Sequence, residues 1–137
     1  HLVLSTQPGM LAAQRIYRAA GFTRLPDRDW SPVPGLVLLA FGLRGHLFRT
    51  DDAGATWQRL DAGTESLLSG GVRLQDGTVV IVGLAGTVLA SADGGRTFRR
   101  HQEPDRKGFA AVAPAADGVV VAGEAGVRTL PAATLRR

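Results

Sequence analysis

Three short apolar runs punctuate the chain at a nearly constant interval: residues 36–41, 78–82 and 119–122. Each ends in a glycine pair, Gly42-Leu43-Arg44-Gly45, Gly83-Leu84-Ala85-Gly86 and Gly123-Glu124-Ala125-Gly126, offset by 41 and then 40 residues. Apolar runs of this length bounded by glycine read as strands. A glycine pair between two strand patterns reads as a hairpin turn with positions that need positive φ. A second strand pattern follows each turn, at 46–49, 87–90 and 127–130. The last two units have a further strand in front, at 71–74 and 109–112, joined through the hairpin signals Asp76-Gly77 and Asp117-Gly118. Short strand patterns recur at 57–60 and 98–101. The unit is four antiparallel strands in about 41 residues, the size of a propeller blade. Seven to nine antiparallel strands are expected in all.

The first 35 residues follow a different period. Residues 1–6 form a short apolar strand pattern, broken by Gln7-Pro8-Gly9. Met10, Ala13, Tyr17 and Ala20 then recur at i, i+3, i+7 and i+10 with Ile16 alongside, which marks one face of a helix spanning about 9–20. Gly21 stands at the C-cap position, and residues 22–25 resemble a strand. Pro26, Pro32 and Pro34 make 26–35 a linker. The expected fold is mainly β: two four-stranded units and a partial third over residues 36–137, preceded by a short β-α-β segment over 1–35. One helix is expected, and after residue 130 a polar tail.

Two octapeptides share the pattern Ser/Thr-x-Asp-x-Gly-x-Thr-Trp/Phe. They are Thr50-Asp51-Asp52-Ala53-Gly54-Ala55-Thr56-Trp57 and Ser91-Ala92-Asp93-Gly94-Gly95-Arg96-Thr97-Phe98, 41 residues apart and in phase with the glycine pairs. The carboxylates of Asp52 and Asp93 can accept backbone N–H groups across a turn. Gly54 and Gly95 supply backbone angles that a Cβ resists. Trp57 and Phe98 are expected to bury area that ties each hairpin to its sheet. A carboxylate in such a motif is either a catalytic group or metal ligand, or a folding device. Recurrence once per unit favours the folding device, because an active site is assembled once per molecule.

Composition narrows the function classes. Apolar residues make up 45% and charged residues 20% of 137, as in ordinary globular chains, while Gly at 18 implies many tight turns. The net charge of +4 is carried by scattered arginines with few aromatics between them, which argues against nucleic-acid binding. With no cysteine, disulfides, thiolate metal sites and thiol nucleophiles are excluded. No apolar stretch of about 18 residues is present to span a membrane, and no signal-peptide pattern is seen. His1, His46 and His101 are isolated, so no metal site is expected; Asp27, Asp29 and Asp61 read as loop carboxylates.

The octapeptides resemble the Asp-box (BNR) repeats of bacterial neuraminidases. More closely, residues 36–137 look like the propellers of the photosystem II stability and assembly factor-like family. That resemblance implies a β-propeller acting as a non-catalytic binding or assembly scaffold with no cofactor. Its partner would be another protein, or a second copy, joined through exposed sheet edges. It does not imply sialidase activity: no motif places an arginine triad, a tyrosine nucleophile and an acid/base aspartate, and the only tyrosine is Tyr17. Propellers typically close with 4–8 blades, so the resemblance implies further blades upstream. The stretch Leu4-Ser5-Thr6, Met10, Ala13, Ile16-Tyr17 and Ala20-Gly21-Phe22 resembles the C-terminal part of the GNAT N-acetyltransferases. That likeness implies acetyl-CoA as cofactor, an amine acceptor and Tyr17 as general acid toward the departing thiolate. The family's acetyl-CoA loop pattern is absent from the chain. The first resemblance implies an exported protein, the second a cytoplasmic one.

Overall fold

The computed structural model describes residues 11–23 and 36–135. The strand expected at 1–6, half of that at 22–25 and the linker at 26–35 lie outside the described residues. The chain separates into two compact units, His1–Ser31 and Pro32–Arg137.

In the first unit, α1 spans Leu11–Ala19, with Leu11 and Ile16 exposed. It stops because Gly21 turns left-handed (φ 85°), which a residue with a Cβ resists. The Gly21 N–H then reaches Arg18 O at 3.1 Å and the Phe22 N–H reaches Tyr17 O at 3.0 Å. This is the Schellman arrangement, and its usual apolar contact is present too: the Tyr17 and Phe22 rings meet edge to face at 6.0 Å. Phe22 and Thr23 are not paired as a strand.

Among the described residues the second unit is built of ten strands, more than the seven to nine expected. They are β1 (Leu38–Phe41), β2 (Leu47–Thr50), β3 (Gln58–Leu60), β4 (Leu68–Arg73), β5 (Val79–Gly83), β6 (Thr87–Ser91), β7 (Arg99–Gln102), β8 (Phe109–Ala115), β9 (Gly118–Gly123) and β10 (Gly126–Leu130). A second helix, α2 (Ala132–Leu135), replaces the expected polar tail. Pro131 pre-sets its first turn, where Thr134 N–H meets Pro131 O at 2.9 Å, and Leu135 is buried. The strands form three antiparallel sheets, ordered β1-β2-β3, β4-β5-β6-β7 and β8-β9-β10. Among the described residues they close into no barrel or ring.

Registers show the three sheets to be variants of one plan. Phe41 pairs with Leu47, Val82 with Val88 and Ala122 with Val127 across the three glycine-pair turns. From those pairs, β1, β5 and β9 are equivalent, as are β2, β6 and β10; β3 matches β7, and β4 matches β8. Among the described residues the first sheet therefore has no counterpart of β4, and the third has none of β7.

The middle sheet is covered on both faces, which is why β5 reads as an unbroken apolar run. Alternate residues point opposite ways. Val79, Ile81 and Leu89 pack with Leu47, Leu39, Phe41 and Leu60 of the first sheet. Val80, Val82 and Val88 pack with Phe109, Val119 and Val121 of the third, and Leu130 and Leu135 complete that cluster. Burying each such side chain contributes roughly 1.5–3 kcal/mol. Where β4 approaches β8 the seam is polar: the Ser69 hydroxyl lies 2.6 Å from Phe109 O and 3.2 Å from Val82 O.

The glycine pairs depart from expectation in one respect. Their first members, Gly42 and Gly83, are extended, and positive φ falls instead on the pairs Arg44–Gly45 and Ala85–Gly86. These two turns are short 3-10 segments. The third is different: Gly123 pairs directly with Gly126 across a two-residue turn. The third turn is thus one residue tighter, and Leu130 comes to stand where Thr50 and Ser91 stand in the other sheets.

Candidate functional site: the Thr50 and Ser91 turns

Each octapeptide connects the end of one strand to the next strand of its sheet: Thr50 ends β2 and Ser91 ends β6. Both hydroxyl residues are buried, at 2% and 1% exposure. A buried hydroxyl must be satisfied, and each makes the same set of bonds. Thr50 Oγ1 donates to Asp52 Oδ1 at 2.6 Å and accepts the Gly54 N–H at 2.9 Å. Ser91 Oγ donates to Asp93 Oδ1 at 2.7 Å and accepts the Gly95 N–H at 2.8 Å.

The carboxylates complete the turn in parallel. Asp52 Oδ1 accepts the Thr56 N–H at 2.8 Å, and Oδ2 accepts the Thr56 hydroxyl at 2.6 Å. Asp93 Oδ1 accepts the Thr97 N–H at 3.0 Å, and Oδ2 accepts the Thr97 hydroxyl at 2.6 Å. Asp93 Oδ1 also takes the Arg96 N–H at 3.0 Å. All these donors favour the ionised form. Asp52 is lowered to about 2, chiefly by the Thr50 hydroxyl and then by Thr56. Asp93 is held well below the ordinary carboxylate range, chiefly by the Thr97 hydroxyl and N–H and then by Ser91. A carboxylate so committed is a poor general base, since its lone pairs are occupied and its proton affinity is lowered.

The backbone of the two turns also matches. Ala53 and Gly54 are left-handed (φ 59° and 95°), as are Gly94 and Gly95 (φ 72° and 84°). The aromatic positions do not match. Phe98 packs onto the cluster between the first and middle sheets. Trp57, expected to be buried, is 45% exposed, and its indole N–H bonds Gly54 O of its own turn at 3.1 Å. The reason is the neighbour. The Ser91 turn lies against the first sheet, where a Cβ on Gly95 would come within 3.0 Å of Leu39 Cδ1. The Thr50 turn has no such sheet beside it among the described residues.

Two polar features were not flagged by the motif. Arg49 is 4% exposed, pairs with Asp51 and directs Nε toward Gly94 O at 3.5 Å, so it links one octapeptide to the other. Its signal was present but faint: Arg49 shares the strand parity of buried Leu47, an unusual place for a charge. At the seam of the second and third sheets, Arg128 bonds Asp105 at 2.7 Å, reaches Glu103 at 3.5 Å and lies over the Phe109 ring at 5.1 Å. Glu103 also meets His101 at 3.0 Å. Arg128 is distant in sequence from its partners, and no local pattern announces them.

The remaining candidates do not converge. Tyr17 sits in α1 against Phe22. His46 stacks edge to face on Phe48 at 6.1 Å. Among the described residues no group of three or more His, Asp or Glu side chains could hold a metal. No helix there is long and apolar enough to cross a membrane. An open concavity beside the first sheet is lined by Arg44, Arg59, Asp61, Thr64, Glu65 and Arg100. Its charges are mixed, and Asp61 already accepts the Gly63 N–H at 2.8 Å.

No family model, no curated protein and no solved structure matches this chain.

Proposed function

We propose that residues 36–137 are a non-catalytic, propeller-type binding or assembly scaffold whose Asp-box turns are folding devices, joined to an incomplete acetyltransferase-like segment. One observation carries this reading: both carboxylates that could do chemistry spend their oxygens on their own turns, in the same way twice. The blade reading is supported by the common strand plan of the three sheets, and by open strand edges able to pair with another chain. Binding through such a surface needs no cofactor.

The test is calorimetric titration of the chain with acetyl-CoA, read alongside its melting temperature. The scaffold predicts no saturable heat and no thermal shift. Saturable heat, together with acetyl transfer to an amine that is lost in Tyr17→Phe while the heat remains, would replace it with an N-acetyltransferase reading.

A further inference from the structure

We propose that the open face of the first sheet is a docking site for the open face of the third sheet of a second copy of this chain, so that copies associate head to tail. The inference rests on reading the sheets as equivalents, and it names the partner that the scaffold reading leaves general. Within the chain one packing arrangement is used twice. Val79, Ile81 and Leu89 form the face of the middle sheet that meets the first sheet, and Val80, Val82 and Val88 form the face that meets the third. All six are buried.

Register carries those positions onto the outer sheets. Leu38, Ala40 and Phe48 occupy in the first sheet the places of Val79, Ile81 and Leu89. Val120, Ala122 and Val127 occupy in the third the places of Val80, Val82 and Val88. Yet Ala40 is exposed, Leu38 and Phe48 are only half-buried, and Val127 is 73% exposed where its equivalent Val88 is fully buried. Beside Ala40 and Phe48 lies an apolar hollow completed by Phe41, Gly42 and His46. The two outer faces are thus opposite halves of an interface the molecule already makes internally. One half fits the other, not itself.

A contact between unlike faces is heterologous, and successive copies add in series until the rotation closes or the chain of copies runs on. Exposed apolar faces of this kind mark association surfaces. An edge-to-edge pairing of identical strands would instead be isologous, and the two are separable by mixing.

The experiment is light scattering across a concentration series on the full chain and on Phe48→Asp and Val127→Asp, with circular dichroism to check folding. Wild type is expected to rise above the 14.4 kDa chain mass with concentration. Each variant alone should stay at the chain mass, having lost one half of the contact. An equimolar mixture of the two should recover a complex of twice the chain mass, because each variant keeps the half the other lacks. Should circular dichroism show Phe48→Asp unfolded, Ala40→Glu takes its place in the mixture. Wild type fixed at the chain mass throughout, a mixture that stays monomeric, or a single variant that still doubles its mass overturns the proposal. None of these outcomes depends on acetyl-CoA, so failure here is distinct from failure of the scaffold reading.

Discussion

The Thr50 and Ser91 turns hold the same bonds in different surroundings. Hydroxyl, carboxylate and second threonine make matching contacts in both, to within a few tenths of an ångström. Around them everything differs: the Ser91 turn presses on Leu39 and lays Phe98 against the core, while the Thr50 turn leaves Trp57 45% exposed. The polar scaffold of the turn is therefore self-sufficient, specified by eight consecutive residues. What the turn contributes to stability beyond that is decided by the sheet across from it.

The aromatic positions give the largest effect. Truncating a buried Phe costs about 3–5 kcal/mol, and partial burial lowers this. Phe98→Ala is expected to destabilise by about 2–3 kcal/mol, read as a shift of the urea midpoint at unchanged slope. Trp57→Ala removes a larger ring but leaves no cavity in the core, and should cost about 1 kcal/mol or less. Equal costs at the two sites would show that the first turn is covered in solution after all.

Acid should affect both turns alike, because their hydrogen bonds are alike. Each carboxyl is lowered in the folded protein, Asp52 to about 2. A lowered folded pKa means that the stabilisation is complete above the unfolded carboxyl's range and fades as pH falls through the folded value. The urea midpoint should then hold above about pH 5 and fall progressively below it, down through about pH 2. Asp52→Asn combined with Asp93→Asn should start from a lower midpoint and lose much of that slope. Asp105, lowered by its bond to Arg128, keeps a remainder. A double variant with the wild-type acid slope would show that the turns are not the titrating elements.

The same contrast explains how far the chain could be read in advance. Ten strands form where seven to nine were expected, but apolar runs, Asp-Gly hairpins and glycine pairs placed most of them, because each signal depends on neighbours within a few residues. The octapeptides named the residues of the turn for the same reason. Three things were not legible. Trp57 and Phe98 occupy the same position of the shared octapeptide pattern, and their different burial follows what packs opposite. Arg49 and Arg128 find partners or acceptors through the fold, Arg49 at Gly94 and Arg128 at Asp105. The third glycine pair copies the spacing of the others yet turns one residue tighter, which brings Leu130 to the hydroxyl position and lets Pro131 start α2.

The smallest effect tests the claim that the two backbones are the same. Ala53 and Gly94 hold equivalent left-handed positions, φ 59° and 72°. A left-handed conformation costs an L-residue with a Cβ roughly 1–2 kcal/mol, while Gly surrenders about 0.5–1 kcal/mol more backbone entropy on folding than Ala. The balance favours Gly at both sites by about 0.5 kcal/mol. A Cβ at Gly94 would meet nothing within 4 Å, so no packing change obscures the backbone term there. Ala53→Gly should therefore raise the urea midpoint slightly, and Gly94→Ala should lower it by a similar amount. Because the cause is the backbone alone, the two shifts should nearly cancel in the double variant. A double variant well away from wild type would mean that the covered turn and the bare one differ in backbone as well as in surroundings.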